Sequence, residues 1–136
     1  MRNKESNPTD WVESDLVYRI TGCAMAVLNE LGHGLREKTY ERALCVEFKH
    51  QNIAYSQQKV HPVRYRGEHI DYYIPDLEVE DKAIVEIKTA EFITPDHIGQ
   101  VLNYLRVAQR EVGVILNFKH SRLEWKKVVL QEPTEP

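Results

Sequence analysis

Residues 73–88 have the sequence YIPDLEVEDKAIVEIK, which predicts the end of one strand, a turn and a second strand. The second strand is rich in the β-branched residues that favour extended structure. Side chains alternate along a strand, so Glu86 and Lys88 share one face and Val85 and Ile87 point to the opposite face, towards apolar cover. This stretch therefore predicts a half-polar strand that presents an acid and a lysine together.

A turn near Glu80–Asp81 would place Asp76 beside Glu86, since each lies about five residues from the centre of the turn. Two converging carboxylates repel each other and do not both stay ionised without a cation. Hard oxygen ligands select Mg²⁺ or Mn²⁺. Such an ion can polarise a phosphoryl oxygen and activate water, and Lys88 can orient that water or offset charge on a phosphate. The stretch thus predicts the parts of a phosphodiester-hydrolysing site.

The surrounding chain alternates between helical and extended patterns. Residue spacing of three and four predicts helices, and alternation with Tyr, Val and Ile predicts strands. The predicted helices cover 14–31, with Ser14 as N-cap, 35–51, and 94–109, which opens with Thr94-Pro95-Asp96. The predicted strands cover 59–66, 69–79 and 82–89, read as a three-stranded meander, then 111–118 and 123–130. The fold class is mixed α/β (α+β), a mixed central sheet flanked by helices.

Composition indicates one ordinary globular domain. The chain has 136 residues, 42% of them hydrophobic and 29% charged. We expect flexible tails at 1–13 and 131–136 around a single domain at 14–130. No stretch is apolar enough for a membrane span or a signal peptide, so a cytoplasmic protein is expected. Cys23 and Cys45 lie among apolar neighbours and are predicted to be buried thiols.

The net charge of −3 combines two opposite segments. Residues 36–66 carry seven basic and three acidic groups, whereas residues 67–96 carry nine acidic and two basic ones. An acidic segment beside a basic one suits a cation site next to an anionic substrate. Arg36 and Lys38 in the basic segment are therefore candidate contacts to a phosphate backbone.

Two helices offer further candidate site residues. Glu37 and Glu41 lie four apart on the second helix, so a carboxylate from that helix can complete a metal site. Gln100 and Tyr104 share a face of the third helix and place hydrogen-bonding groups on its otherwise apolar surface. The histidines and cysteines do not have the spacing of zinc ligands. The sequence has no glycine-rich phosphate loop, so ATP use is not expected.

The combined pattern resembles a known family. Gly34-Leu35-Arg36-Glu37-Lys38-Thr39-Tyr40 matches the GxxExxY signature, a branch of the PD-(D/E)xK nuclease superfamily. Pro75-Asp76 and Glu86-Ile87-Lys88 match the defining motif of that superfamily, and Gln100 with Tyr104 matches the QxxxY element of its recombination-helicase and exonuclease branch. The resemblance spans about Asp15 to Phe118.

The resemblance implies a restriction-endonuclease-like core, here preceded by one extra helix, and Mg²⁺- or Mn²⁺-dependent cleavage of nucleic acid, with DNA as the expected substrate. It implies that Asp76 and Glu86 bind metal, that Lys88 serves the water or the phosphate, and that Gln100 and Tyr104 position the substrate. The GxxExxY signature points to Glu37 as the helical acid, and similarity to archaeal Holliday-junction resolvases points to Glu41; both stay open, with Glu41 preferred. A homodimer is expected by analogy.

Two other functions remain open at this point. The first is a catalytically inactive nucleic-acid-binding or assembly module on the same fold, for which the basic segment 36–66 argues. The second is a structural protein whose acidic segment solvates one face of a sheet.

Overall fold

The computed structural model describes residues 11–130; residues 1–10 of the expected tail at 1–13 and the whole expected tail at 131–136 lie outside the described residues. Its three helices and seven strands are α1 (Ser14–Leu31), α2 (Glu37–His50), β1 (Tyr55–Gln57), β2 (His61–Tyr65), β3 (Glu68–Tyr73), β4 (Leu77–Val79), β5 (Ala83–Lys88), α3 (Pro95–Ala108), β6 (Val112–Asn117) and β7 (Glu124–Val129). This order confirms the predicted mixed α/β class.

A five-stranded sheet in the order β1-β4-β5-β6-β7 forms the centre of the molecule. Strands β5 and β6 are parallel, and the other neighbours are antiparallel. Helix α3 makes the connection between β5 and β6 that two parallel strands require. Both strands are almost entirely buried, as expected for parallel strands covered on two faces.

Two apolar clusters hold the layers together. Helices α1 and α2 cover one face of the sheet, where Val85 and Ile87 join the larger cluster. Helix α3 and the β2–β3 pair cover the other face, where Ile84 and Ile115 pack against α3. The alternation read from residues 83–88 is thus confirmed: Glu86 faces α3, and its apolar neighbours face α1 and α2.

The predicted three-stranded meander is wrong. Strands β2 and β3 form a separate two-stranded sheet, and the stretch predicted as one strand at 69–79 is divided into β3 and β4. The division falls at Ile74-Pro75, because proline donates no backbone hydrogen bond and does not continue a ladder. Strand β1 was not predicted, since three residues of mixed polarity carry no recognisable alternation.

The helix boundaries follow local chemistry. The Thr94 side chain accepts a hydrogen bond from the His97 N–H at 3.2 Å and Pro95 opens α3, as predicted. Ser14 is not the N-cap of α1: Glu13 holds that position at φ 46° without a side-chain cap, and Ser14 is the first helical residue. Helix α2 begins at Glu37, two residues after the predicted start. Among residues 11–130, no helix combines the length and apolarity needed to cross a bilayer.

Gly113 on β6 allows α3 to approach the sheet. A β-carbon at this position would lie 2.7 Å from Val101 Cγ1 on α3. Both residues are buried, and the branched Val101 side chain has little rotamer freedom in a helix.

Gly113→Ala is therefore expected to lower the free energy of unfolding by about 1–3 kcal/mol through overpacking. Urea denaturation measures this change. Gly22→Ala on α1 is the matched control, because no atom lies within 4 Å of the added carbon. Alanine should stabilise that helix by up to about 1 kcal/mol. Equal stability of the two variants would show that the α3–β6 approach is not tight.

Candidate active site

The register of β4 on β5 brings the two predicted acids together. Leu77 pairs with Val85, which places Asp76, just before β4, opposite Glu86. The turn between the strands has Glu80 and Asp81 at φ 54° and 55°, the geometry of a tight hairpin turn. The Asp76 N–H donates to Glu86 Oε2 at 3.2 Å, and Asp76 Oδ2 accepts from the Ile87 N–H at 2.8 Å.

Glu86 is buried and carries an unusual proton affinity. Burial raises its pKa to about 7, and the neighbouring Asp76 charge adds to the shift. The Tyr73 hydroxyl donates to Glu86 Oε2 at 3.2 Å and partly offsets that effect. Burial also raises the pKa of Asp76, against the Ile87 N–H, which lowers it. The pair therefore holds less negative charge near neutral pH than two free carboxylates would.

Lys88 lies on the same side as the two acids. Its positive charge lowers the pKa of both Asp76 and Glu86. Lys88 is half-buried at the end of β5, where the strand opens towards solvent. The structure thus brings together the acid, acid and lysine that the spacing predicted.

Helix α3 brings Gln100 and Tyr104 to the same site. Burial raises the pKa of Tyr104, the charges of Glu86 and Asp76 add to that rise, and the Gln100 side chain acts against it. The Tyr104 ring stacks on Tyr73 with centroids 3.8 Å apart. These two α3 residues therefore lie on the side of the Asp76–Glu86 pair that faces α3.

The N-terminal end of α2 contributes both candidate helical acids. Glu37 Oε2 accepts from the Thr89 N–H at 2.9 Å, just after β5. Glu41 is buried and bonds Lys38 Nζ at 3.2 Å and Gln57 Nε2 at 3.0 Å. Both negative charges raise the pKa of Asp76, and Glu41 raises it more than Glu37 does.

A cleft of about 470 Å³ lies between the start of α2, Asp76 and the residue that follows β5. It is lined by Arg36, Glu37, Lys38, Glu41, Asp76 and Thr89. The two predicted phosphate contacts, Arg36 and Lys38, therefore share an open space with one acid of the central pair. Lys38 is half-buried against Glu41, whereas Arg36 is exposed.

Gly34, Glu37 and Tyr40 each have a structural role. Gly34 has φ +103°, a conformation that side chains rarely adopt. The Tyr40 hydroxyl donates to the Gly32 carbonyl at 2.7 Å and accepts from the Leu35 N–H at 3.1 Å. Its ring stacks on Phe118 at 4.4 Å. The turn before α2 is thereby fixed, and with it the position of Glu37 over the end of β5.

Sequence reasoning missed Tyr73 and a second buried glutamate. Tyr73 is the last residue of β3, whose other residues are exposed, and no local signal shows that its hydroxyl meets Glu86. Glu78 on β4 is buried and accepts from Arg110 Nε at 2.8 Å and pairs with His61 Nε2 at 2.8 Å. Burial would raise the pKa of Glu78, but these partners hold it below its usual value.

The donor set suits a hard divalent cation. Asp76 and Glu86 offer adjacent carboxylate oxygens, and Mg²⁺ is commonly held by one or two carboxylates together with water and phosphate. Within residues 11–130, no group of three or more His, Cys, Asp or Glu side chains is arranged to hold a metal ion. Glu41 is turned to Lys38 and Gln57, and Glu86 to Tyr73.

The mixed five-stranded sheet flanked by helices is consistent with a restriction-endonuclease-like fold. The family model of the PD-(D/E)XK nuclease superfamily matches residues 14–128. The chain belongs to this superfamily.

One similar solved structure is described as "Crystal structure of SSO0001". It is 14% identical to this chain with a TM-score of 0.55, and the match covers 92% of this chain. At this low identity, the likeness concerns the fold alone. This chain spans 62% of the length of that protein. No curated protein matches the chain significantly.

The stability of the metal-free protein should depend on Glu86. Its pKa rises from 4.5 to about 7 on folding, so the folded state binds the proton more tightly. The free energy of unfolding therefore falls as pH rises from about 4.5 to 7, by up to roughly 3 kcal/mol. Glu86→Gln keeps an acceptor for Tyr73 and removes the titration.

Urea denaturation in EDTA at pH 5 and pH 8 measures this dependence. Glu86→Gln should lose most of the decline seen in the wild-type protein. Glu91→Gln is the control, since Glu91 is exposed after β5. The same decline in wild type and Glu86→Gln would contradict the assignment of the proton to Glu86.

Proposed function

We propose that this protein is a Mg²⁺- or Mn²⁺-dependent nuclease that hydrolyses phosphodiester bonds in DNA. The observation that carries the proposal is the convergence of Asp76, Glu86 and Lys88 at the open end of β5. Membership of the PD-(D/E)XK nuclease superfamily supports the reaction class. Within it we assign the GxxExxY branch, supported by the roles of Gly34, Glu37 and Tyr40 in the turn before α2.

Asp76 and Glu86 would hold the cation. A divalent ion there supplies a Lewis acid for the phosphoryl oxygen and lowers the pKa of bound water. Glu86 gives up its proton more readily beside a cation, because added positive charge favours the carboxylate. Tyr73 keeps the Glu86 side chain directed towards Asp76 through its hydroxyl.

Lys88 would serve the nucleophilic water or the phosphate. A lysine on the face shared with Glu86 can hydrogen-bond the attacking water or stabilise charge that develops on the phosphate oxygens. Gln100 and Tyr104 supply an amide and a phenol beside the carboxylates and can orient the scissile phosphate. Arg36 and Lys38 in the adjoining cleft would contact the strand on the α2 side.

Glu41 is our choice as the helical acid. Its charge acts on Asp76 more strongly than that of Glu37. Glu37 instead uses its carboxylate to hold the Thr89 N–H, which fixes the end of β5. Glu41 would have to exchange its contacts with Lys38 and Gln57 for the cation or a water bound to it.

Incubation of linear, nicked and branched DNA with Mg²⁺ or Mn²⁺ should produce cleavage that EDTA abolishes. Asp76→Asn, Glu86→Gln and Lys88→Ala should each lower the rate by at least about 100-fold, the usual scale for a missing acid–base or charge-stabilising group. Gel electrophoresis of end-labelled DNA measures the rate.

Lys82→Ala is the matched control for Lys88→Ala. Lys82 lies just before the same strand at its opposite end and is exposed near Glu13. The Lys82→Ala variant should cleave DNA at the wild-type rate. Cleavage that survives Asp76→Asn and Lys88→Ala would belong to a contaminant, and the nuclease assignment would then fall.

The choice between the two helical acids has its own test. Glu41→Gln should lower the cleavage rate at least tenfold at limiting Mn²⁺, with partial recovery at high Mn²⁺, because it removes a charge that acts on the cation. Glu37→Gln should show no such dependence on metal concentration. The reverse pattern would transfer the role to Glu37.

A non-catalytic nucleic-acid-binding module is the second candidate. The engagement of Glu86 by Tyr73 and of Glu41 by Lys38 favours it, since both acids already have partners. It predicts salt-dependent DNA binding with no cleavage under any divalent cation.

A further inference from the structure

A basic groove lies between the β2–β3 pair and α3, outside the cleft described above. Its volume is about 500 Å³. It is lined by His61, Pro62, Val63, Arg64, Arg106, Val107, Ala108 and Gln109. No acidic residue is among them, although the chain as a whole carries a net charge of −3.

The two arginines of the groove are available for a ligand. Arg64 and Arg106 are both exposed. Arg106 bonds only the Asn103 side-chain oxygen, at 3.0 Å, and neither guanidinium pairs with a carboxylate of the described residues. Arg110, in contrast, is held by Glu78 at 2.7 Å. Within residues 11–130, the groove therefore presents two guanidinium groups without a carboxylate partner, and guanidinium groups are the side chains best suited to phosphate oxygens.

Two connections link this groove to the residues around Glu86. Val107 follows Gln100 and Tyr104 on one helical stripe, so the groove continues the α3 face that borders Asp76 and Glu86. From the other side, His61 pairs with Tyr73, and their rings are 6.2 Å apart. Tyr73 in turn donates to Glu86.

The spacing matches a nucleic-acid strand. Seven residues of helix from Gln100 to Val107 span about 10 Å at the ordinary helical rise. Each strand of duplex DNA carries one phosphate per 3.4 Å of rise along the helix axis. Along a duplex whose axis runs parallel to α3, the groove therefore lies about three nucleotides from a phosphate held at Gln100 and Tyr104.

We propose that Arg64 and Arg106 form a phosphate-binding subsite that holds the substrate strand about three nucleotides from the cleaved bond. The ligand is the phosphodiester backbone, because two guanidinium groups without a carboxylate partner suit phosphate oxygens. This subsite rests on the proposed nuclease function and extends it to β2 and the last turn of α3.

Fluorescence anisotropy with a labelled DNA oligonucleotide tests the subsite in the Asp76→Asn background, which removes cutting from the measurement. Arg64→Gln and Arg106→Gln, singly and together, are compared with Lys49→Gln. Lys49 is an exposed cation in the last turn of α2, about 18 Å along the helix from Glu37.

Each arginine substitution should lower the slope of log affinity against log salt by about 0.9, and the pair by about 1.8. Between about 50 and 200 mM salt, the background protein then loses about tenfold more affinity than the double variant. Lys49→Gln should leave the slope unchanged. All variants should melt within a degree or so of the background, since the three residues are exposed.

Truncated oligonucleotides provide a second measurement. When the strand is shortened from one end past the subsite, the difference between Arg64→Gln/Arg106→Gln and the background should vanish. A difference that persists on the shortest DNA would mean a general charge effect and would overturn the subsite.

The outcomes separate this proposal from the catalytic one. A reduced slope in a protein that never cleaves DNA would support the subsite and reject the nuclease. Normal cleavage by the wild type, with a salt slope that the arginine substitutions leave unchanged, would support the nuclease and reject the subsite. Absence of DNA binding, or equal binding of a poly-glutamate peptide, would overturn the assignment to phosphodiester backbone.

Discussion

The pairing of Leu77 with Val85 is the constraint on which the site depends. Side chains alternate between faces, so a slip of one residue in this register would move Asp76 away from Glu86 and turn polar groups into the α1–α2 core. Three features hold the register: the tight turn at Glu80–Asp81, the apolar burial of both paired residues, and the two hydrogen bonds between Asp76 and β5. The position of Asp76 beside Glu86 thus depends on correct pairing of β4 with β5.

Two buried glutamates on neighbouring strands show how surroundings decide charge. Glu78 has Arg110 and His61 within hydrogen-bond distance, and it stays ionised in the interior. Glu86 has a phenol, an amide and a second carboxylate as its near neighbours, and burial holds a proton on it up to about pH 7. One carboxylate is satisfied by the protein and anchors β4. The other lacks a paired cation of its own apart from the partial effect of Lys88, and strongly shifted buried acids of this kind mark functional sites.

Local patterns predicted much of this molecule. The alternation in residues 83–88 fixed which face Glu86 occupies, and Thr94-Pro95 marked the start of α3. The helical spacing of Gln100 and Tyr104 placed them on one face. What failed depends on distant partners. The predicted meander was wrong because the chain leaves β3 before Pro75 and begins β4 two residues after it. Strand β4 pairs with β1, and that distant pairing has no local signal in the sequence. Tyr73 and Glu78 went unnoticed because their partners lie more than ten residues away in sequence, where a single chain gives no signal.

The burial of both cysteines has a practical consequence. Cys23 and Cys45 lie in the α1–α2 layer, and burial raises the pKa of both thiols, that of Cys23 to about 11. Thiolate is the reactive form, so both native sulfurs react slowly with alkylating reagents at neutral pH. A single cysteine introduced on the exposed surface can therefore take a spectroscopic label while the native pair stays unmodified. Labelling experiments can therefore use the wild-type chain as the background, without first replacing Cys23 and Cys45.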